Sequence, residues 1–410
     1  MYATTATTAH ISPRVLIVSM FTPEAQAWHD NFDASGLGNL TAQTVYPRGL
    51  SMLFPGVYCT ESGAVCQFTV GEGEINAAAS MMALLLSDTF DLRSTYVFLG
   101  GIAGVNPKHA TLGSVALARY AVQVALQYEV DPRSLPQNWS TGYIGYGQVS
   151  PDKYPSITYG TEVLELNAKL RDIAYNLASK ATLVDSGAAR RFRARYRPSF
   201  EKAAEAPTVV KCDVATSDVY YSGTMLAEAF ENTTRLWTNG TGESCMSAQE
   251  DNAVLEVLVR GAIEKLVDFS RIIVMRTGKE ARLPAASNAL RYPPLGSDFD
   301  RPAPGQSSLE HLTVTNQNGL DIATTNLYHA GIEVVRGIVS GWNSTFRQGI
   351  APDNYIGDIF GSLGGFPDFG LGSITRGERV DPASYRKVKL GLTSRKVFRS
   401  RRFAYPISNT

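Results

Sequence analysis

The sequence predicts an α/β fold, a mixed, mostly parallel central sheet flanked by helices, on three observations. Strand-like apolar runs alternate with helical patterns along most of the chain. Runs such as Val15–Val18 and Val97–Leu99 are apolar at consecutive positions, as strands buried on both faces require. Glycines then follow the apolar runs, at Gly71 and Gly73 and again at Gly100, Gly101 and Gly104. Missing side chains there let a ligand approach the backbone at the carboxyl edge of the sheet, where open α/β sheets bind small molecules.

The elements follow in order. Residues 14–20 (RVLIVSM) read as the first strand, and Pro23 and Glu24 suit the first turn of the next helix. Cys66–Val70 is a second strand, followed by the Ala- and Leu-rich helix of GEGEINAAASMMALLLSD. The strand of YVFLGGIAGVNP is expected to end at its glycines. Residues 114–124 form another strand, 248–267 a long amphipathic helix, 270–276 a strand and 322–340 a closing helix.

Two segments break the alternation. Residues 279–296 hold three prolines and no periodicity, and are set apart as an insertion. Residues 351–410 carry ten Lys/Arg against five Asp/Glu and read as a basic, flexible tail. The predicted organisation is therefore an extension over 1–13, one domain over 14–350 and that tail.

Composition narrows the partners. The 410 residues are 44% hydrophobic and carry 38 basic and 38 acidic side chains, which gives no global electrostatic case for nucleic acid or an acidic membrane. No apolar run reaches the 18 or so residues of a spanning helix. The five histidines show no metal-ligand spacing, so no metal is expected. Cys59 and Cys66 flank one short segment, and Cys212 and Cys245 flank a longer one; two disulfides are compatible with this, although four cysteines permit three connectivities. Five N-x-S/T sequons, at Asn39, Asn138, Asn232, Asn239 and Asn343, join the cysteines in favouring a secretory, extracellular or vacuolar setting. Against it, the first 14 residues show neither a basic n-region nor an apolar h-region.

Four elements carry candidate chemistry: SMFTPEAQAW with Glu24, VGEGEINAAAS with Asn76, the GGIAG loop, and AQEDNAVLEVL with the later RTG at 276–278. Together and in this order they resemble the nucleoside phosphorylase/nucleosidase superfamily, and within it the purine nucleoside permease-like proteins, over residues 14–350. The RTG is not followed directly by the Ser-Asp of that pattern; Ser297-Asp298 comes only after the 279–296 segment. The resemblance implies a phosphorylase/hydrolase-like three-layer fold, a purine nucleoside substrate and cleavage of its N-ribosyl bond.

It also implies roles. Asp298 would protonate the base, a general-acid contribution of about 10²–10⁴-fold. Glu250 would hold the ribose, and Glu24 would orient water. Gly101, Ala103 and Gly104 would line the pocket with Asn76, Tyr120, Ser217, Asp218, Tyr220 and Gln249, while Arg48 and Arg119 are the candidates for an anion. Each has a plainer reading: Glu24 as complement to a helix N-terminus, Glu250 as a solvated acid, the tyrosines as ordinary packing. No cofactor is implied, only water or phosphate as co-substrate, and a homo-oligomer is compatible. Hydrolysis is favoured because the early G-x-P with Arg and the R-x-G-T run usual in phosphorolytic relatives are missing. Phosphorolysis and nucleoside uptake or binding without catalysis remain the alternatives.

Overall fold

The first strand sets the layering, because successive side chains leave a strand on opposite faces. In the computed structural model, which describes residues 10–278, 299–313 and 319–367, β1 (Val15–Ser19) is buried at every position. Val15 and Ile17 enter one apolar cluster with Trp28, Leu170 and Leu327, while Leu16 and Val18 enter another with Met81, Leu84 and Leu255. One sheet between two helical layers is the result.

The amino-terminal elements are α1 (Thr22–Asn31), β2 (Gln43–Val45), β3 (Val57–Cys59), β4 (Val65–Thr69), α2 (Glu74–Leu85) and β5 (Tyr96–Val105). The predicted strand over 114–124 is split into β6 (Val115–Leu117) and β7 (Tyr120–Gln123). A small hairpin, β8 (Tyr128–Glu129) with β9 (Tyr143–Ile144), precedes β10 (Val163–Glu165), α3 (Ala168–Ala178), α4 (Gly187–Arg193) and α5 (Glu201–Ala204). Then come β11 (Val209–Lys211), β12 (Asp213–Thr216), α6 (Thr224–Trp237), β13 (Ser244–Ala248) and α7 (Asp251–Ile263). The chain continues with β14 (Ile272–Gly278), α8 (Ser308–Thr313), α9 (Leu320–Ser340) and β15 (Gly357–Asp358).

Thirteen strands form one mixed sheet in the order β15-β10-β7-β12-β13-β5-β1-β4-β3-β2, with β14 on β5 and β6, and β11 on β6. Its centre, β4-β1-β5-β14, is parallel, as is β7-β12-β13; the two blocks meet through the antiparallel pairing of β13 with β5. Helices α1, α3 and α9 cover one face of the central strands, and α2 and α7 pack together on the other.

The glycines of β5 do not end it. The strand runs through Gly100, Gly101 and Gly104 to Val105, pairing with β14 over Val97–Ala103 and with β13 at Gly104 and Val105. A Cβ on Gly101 would stand 2.6 Å from Glu24 Oε1 and against the Arg276 guanidinium, so the bare backbone admits charged groups that a side chain would exclude.

The predicted domain edges shift. Ile11, in the predicted extension, bridges to Phe90. Residues 351–367, assigned to the tail by composition, instead supply β15, which pairs with β10, and a fully buried Ile359. Asn354 Nδ2 anchors this stretch on Glu165 Oε1 at 2.7 Å and Leu166 O at 2.9 Å. All described residues lie within one compact unit. The 279–296 segment, Asp298 and the basic end of the tail lie outside the described residues. The cysteines pair as Cys59–Cys66 and Cys212–Cys245. Four sequon asparagines (39, 138, 239 and 343) are exposed and Asn232 is half-buried. Among the described residues no helix is long and apolar enough to cross a membrane.

Candidate active site

Glu24 sits in the first turn of α1, which Pro23 starts just beyond the carboxyl end of β1. Its Oε2 accepts from Met20 N at 2.7 Å and its Oε1 from Ile102 N at 2.7 Å, so the carboxylate staples the end of β1 to β5. The residue is 1% exposed, and burial pushes its carboxyl up to about 7 against the opposing pull of Arg276.

Arg276, on β14, is the positive centre of the site. Its Nε and Nη2 fork onto the carboxylate of Asp251, Nη1 donates to Ile102 O at 3.1 Å, and Nη2 lies 3.5 Å from Glu250 Oε2. Glu250 immediately precedes α7, and its Oε1 accepts from Gly73 N at 3.1 Å at the start of α2. Burial raises the Glu250 carboxyl, with Arg276 opposing. Glu24, Glu250 and Arg276, drawn from strand ends far apart in sequence, thus meet at the carboxyl edge of the sheet.

They line an open cavity at that edge. Its walls also hold Ala103, Gly104, Ser217, Tyr220 and Gln249, together with Glu72, Ser247 and Asp300. Ser217 forms a tight turn with Val219, accepting from Val219 N at 3.0 Å, and this starts the loop that carries Tyr220 and Tyr221 into the wall. The Tyr220 hydroxyl is raised by burial and by the carboxylates of Glu250, Glu72 and Glu24; that of Tyr221 is raised by burial and by Asp300.

Several sequence candidates stand elsewhere. Asn76 is exposed and turns back to Glu72 O at 2.7 Å. Asp218 supports the wall from behind, accepting from Glu74 N at 2.9 Å and receiving Gln249 Nε2 on its carbonyl at 3.2 Å. Tyr120 is fully buried, with its hydroxyl 2.9 Å from Thr241 Oγ1, because its strand belongs to the outer block of the sheet. Arg119 is bonded to Glu165 at 2.5 Å and lies over the Tyr120 ring. Arg48 is exposed in the turn after β2. Neither arginine lines the cavity.

Asp300 was not singled out from sequence. Phe299 bridges in parallel to Val105, and Asp300 N donates to Val105 O at 2.8 Å, which sets the residue in the cavity wall beyond β5. Burial holds it up to about 6 despite its bond to Arg301. Asp298 and Asp300 lie two apart in sequence, and spacing alone could not choose between them. Arg276 and Asp251 were visible within their motifs, but their pairing needs the fold.

Fold and cavity define an α/β protein with an acidic cavity at its sheet edge. The chain belongs to the purine nucleoside permease family, whose sequence model matches residues 12–292 and 294–351. The two matched stretches meet at residue 293, within the segment set apart as an insertion. It is 42% identical over 365 residues to a purine nucleoside permease of Candida albicans, covering 87% of this chain and 83% of that protein. A probable purine nucleoside permease of Schizosaccharomyces pombe is 37% identical over 339 residues, covering 81% and 90%. Among solved structures, the futalosine hydrolase of Helicobacter pylori aligns at TM-score 0.45 and 11% identity, covering 81% of this chain and 99% of that one. The 5'-methylthioadenosine/S-adenosylhomocysteine nucleosidase of Neisseria meningitidis aligns at 0.43 and 13%, covering 79% and 98%. Likeness this distant assigns nothing to the site.

Proposed function

We propose that the chain binds purine nucleosides in this cavity and cleaves their N-ribosyl bond with water. The observation that carries the reading is the acidity of the wall: Glu24, Glu72 and Glu250 line it against one guanidinium, Arg276, which is already forked onto Asp251. Such a wall favours the positive charge that grows on the ribosyl ring as the C1'–N9 bond opens, and disfavours a phosphate dianion. Phe21, Tyr220 and Tyr221 offer aromatic surface to the base.

In this mechanism Glu24 orients water toward C1' and takes its proton. The electron pair of the breaking bond passes to the purine, and a carboxylic acid supplies a proton to N7. Asp298 was the sequence candidate for that acid; we assign the role to Asp300, a residue of the cavity wall. Glu250 holds the ribose hydroxyls. Burial lifts both carboxyls, Glu24 to about 7 and Asp300 to about 6, which brings the form with Glu24 ionised and Asp300 protonated within reach near neutrality.

The test incubates the protein with adenosine, inosine and guanosine, with and without phosphate, and follows free base. Base and free ribose formed without phosphate support the proposal. Ribose 1-phosphate formed only with phosphate would replace it with phosphorolysis. Nucleoside retained intact would favour the reading suggested by the relatives' names, a binding component for uptake.

A further inference from the structure

Behind Asp300 a row of alternating charges runs from the cavity wall to the surface. Arg301 Nε donates to Asp300 Oδ1 at 2.7 Å and Nη2 donates to Oδ2 at 3.0 Å, so one guanidinium grips both oxygens. The same Nη2 pairs with Glu231 Oε1 on α6. Glu231 Oε1 also accepts from Asn106 Nδ2 at 2.6 Å, and Glu231 Oε2 meets Lys108 Nζ at 2.7 Å. Exposure climbs along the row, from an Arg301 side chain with none to a Lys108 side chain at 35%.

We propose that Glu231 is a positioning residue for the acid of the reaction, acting on Asp300 through Arg301; this rests on the assignment of Asp300 made above. An arginine forked onto a carboxyl group favours its ionised form, which cannot donate a proton. Glu231 engages the same Nη2 that donates to Asp300, fixes the plane of the guanidinium and offsets its charge, which leaves Asp300 able to hold a proton. Lys108 acts with the opposite sign by drawing on Glu231.

Other groups also face the row. His109 pairs with Glu243 at 3.0 Å and lies within electrostatic reach of Glu231, Lys108 and Arg301, its imidazole held below the ordinary value by burial, and Glu228 lies 3.9 Å from Lys108. Tyr221, another residue of the cavity wall, lies within electrostatic reach of Asp300, and the Arg301 guanidinium lies over the Phe200 ring. The net sign therefore comes from Arg301, Glu231 and Lys108. This direction agrees with the influences on Asp300, where Glu231 raises its carboxyl and Lys108 lowers it.

The experiment compares Glu231→Gln, Lys108→Gln and Asp300→Asn with the unaltered chain. Gln at 231 keeps an oxygen for Arg301 and Asn106, and Lys108 is partly exposed, so both variants preserve the packing. Base release is measured from pH 4.5 to 9, and the Asp300 carboxyl is titrated by infrared difference against Asp300→Asn, a readout that needs no turnover. Glu231→Gln is expected to move the Asp300 titration to lower pH and to lower kcat/KM about three- to tenfold at pH 7, with the deficit vanishing at acid pH. Lys108→Gln is expected to move both the other way. Unmoved titrations, or shifts of the same sign in both variants, would overturn the inference. If Asp300→Asn keeps full turnover, the assignment of Asp300 falls instead, and the infrared titration still decides whether Glu231 governs its carboxyl.

Discussion

Glu24 is held by two backbone N–H groups in a place where water is scarce, and these influences oppose one another. The bonds from Met20 and Ile102 and the charge of Arg276 favour the carboxylate, while burial disfavours it more strongly, leaving the group near 7 against an ordinary 4.5. A carboxyl raised on folding contributes stability that is complete below about pH 4.5 and is lost as pH rises through 7. Glu24→Gln should therefore abolish base release, retain nucleoside binding, and remove up to about 3 kcal/mol of pH-dependent stability loss across that window. Urea unfolding at pH 5 and pH 8 reads the difference, and unchanged turnover would reject the role of Glu24. The productive pair predicts a second outcome: kcat/KM should peak between about pH 6 and 7, falling on the acid side as Glu24 protonates and on the alkaline side as Asp300 ionises.

At the scale of the element, β5 is the strand on which the site depends, since it pairs with both halves of the sheet and presents its glycines where they meet. Gly101→Ala would press a methyl group against Glu24 and Arg276. The expected cost is about 1–3 kcal/mol of stability, seen as a lower Tm, together with loss of turnover. A second element, the loop bearing Tyr220 and Tyr221, is tied from outside the cavity: Ser222 Oγ lies 2.8 Å from Nδ1 of His311 on α8. Nε2 of that ring lies 3.4 Å from the Tyr196 hydroxyl, which donates to Arg301 O at 3.0 Å. Burial pushes the His311 imidazole down to about 4, so it acts here as a neutral tether. His311→Ala should free the tyrosine loop, raising KM by roughly three- to tenfold with a smaller change in kcat, as steady-state kinetics would show.

Over the whole molecule, the two disulfides guard different parts of the sheet. Cys59–Cys66 joins neighbouring strands β3 and β4 across a separation of 7 residues, whereas Cys212–Cys245 spans 33 and encloses β12, the tyrosine loop and α6. Loop-closure entropy makes the longer tie worth more. Replacing Cys212 and Cys245 together by alanine should cost about 3–4 kcal/mol, read by chemical unfolding, and should weaken nucleoside binding more than loss of the Cys59–Cys66 bridge.

How much of this was legible follows the range of the interactions. Residues 14–20, the helix after Gly73 and the closing helix were readable because consecutive apolar runs and helical periodicity are local, and they report burial on both faces of a sheet. Glu24 and Glu250 were readable as motif positions for the same reason. Asp300, the fork of Arg276 onto Asp251 and the row from Arg301 to Lys108 were not, because each joins segments whose approach is set by strand order. The withdrawal of Tyr120 and Arg119 into the outer block has that cause too: strand membership, not residue type, decides which side chains reach the cavity. By itself the sequence determined the α/β class and the strand-end positions where chemistry could gather. Tertiary structure alone decided which acids share a wall and how far burial lifts them, since desolvation and charge pairing belong to the folded interior and to no stretch of chain in isolation.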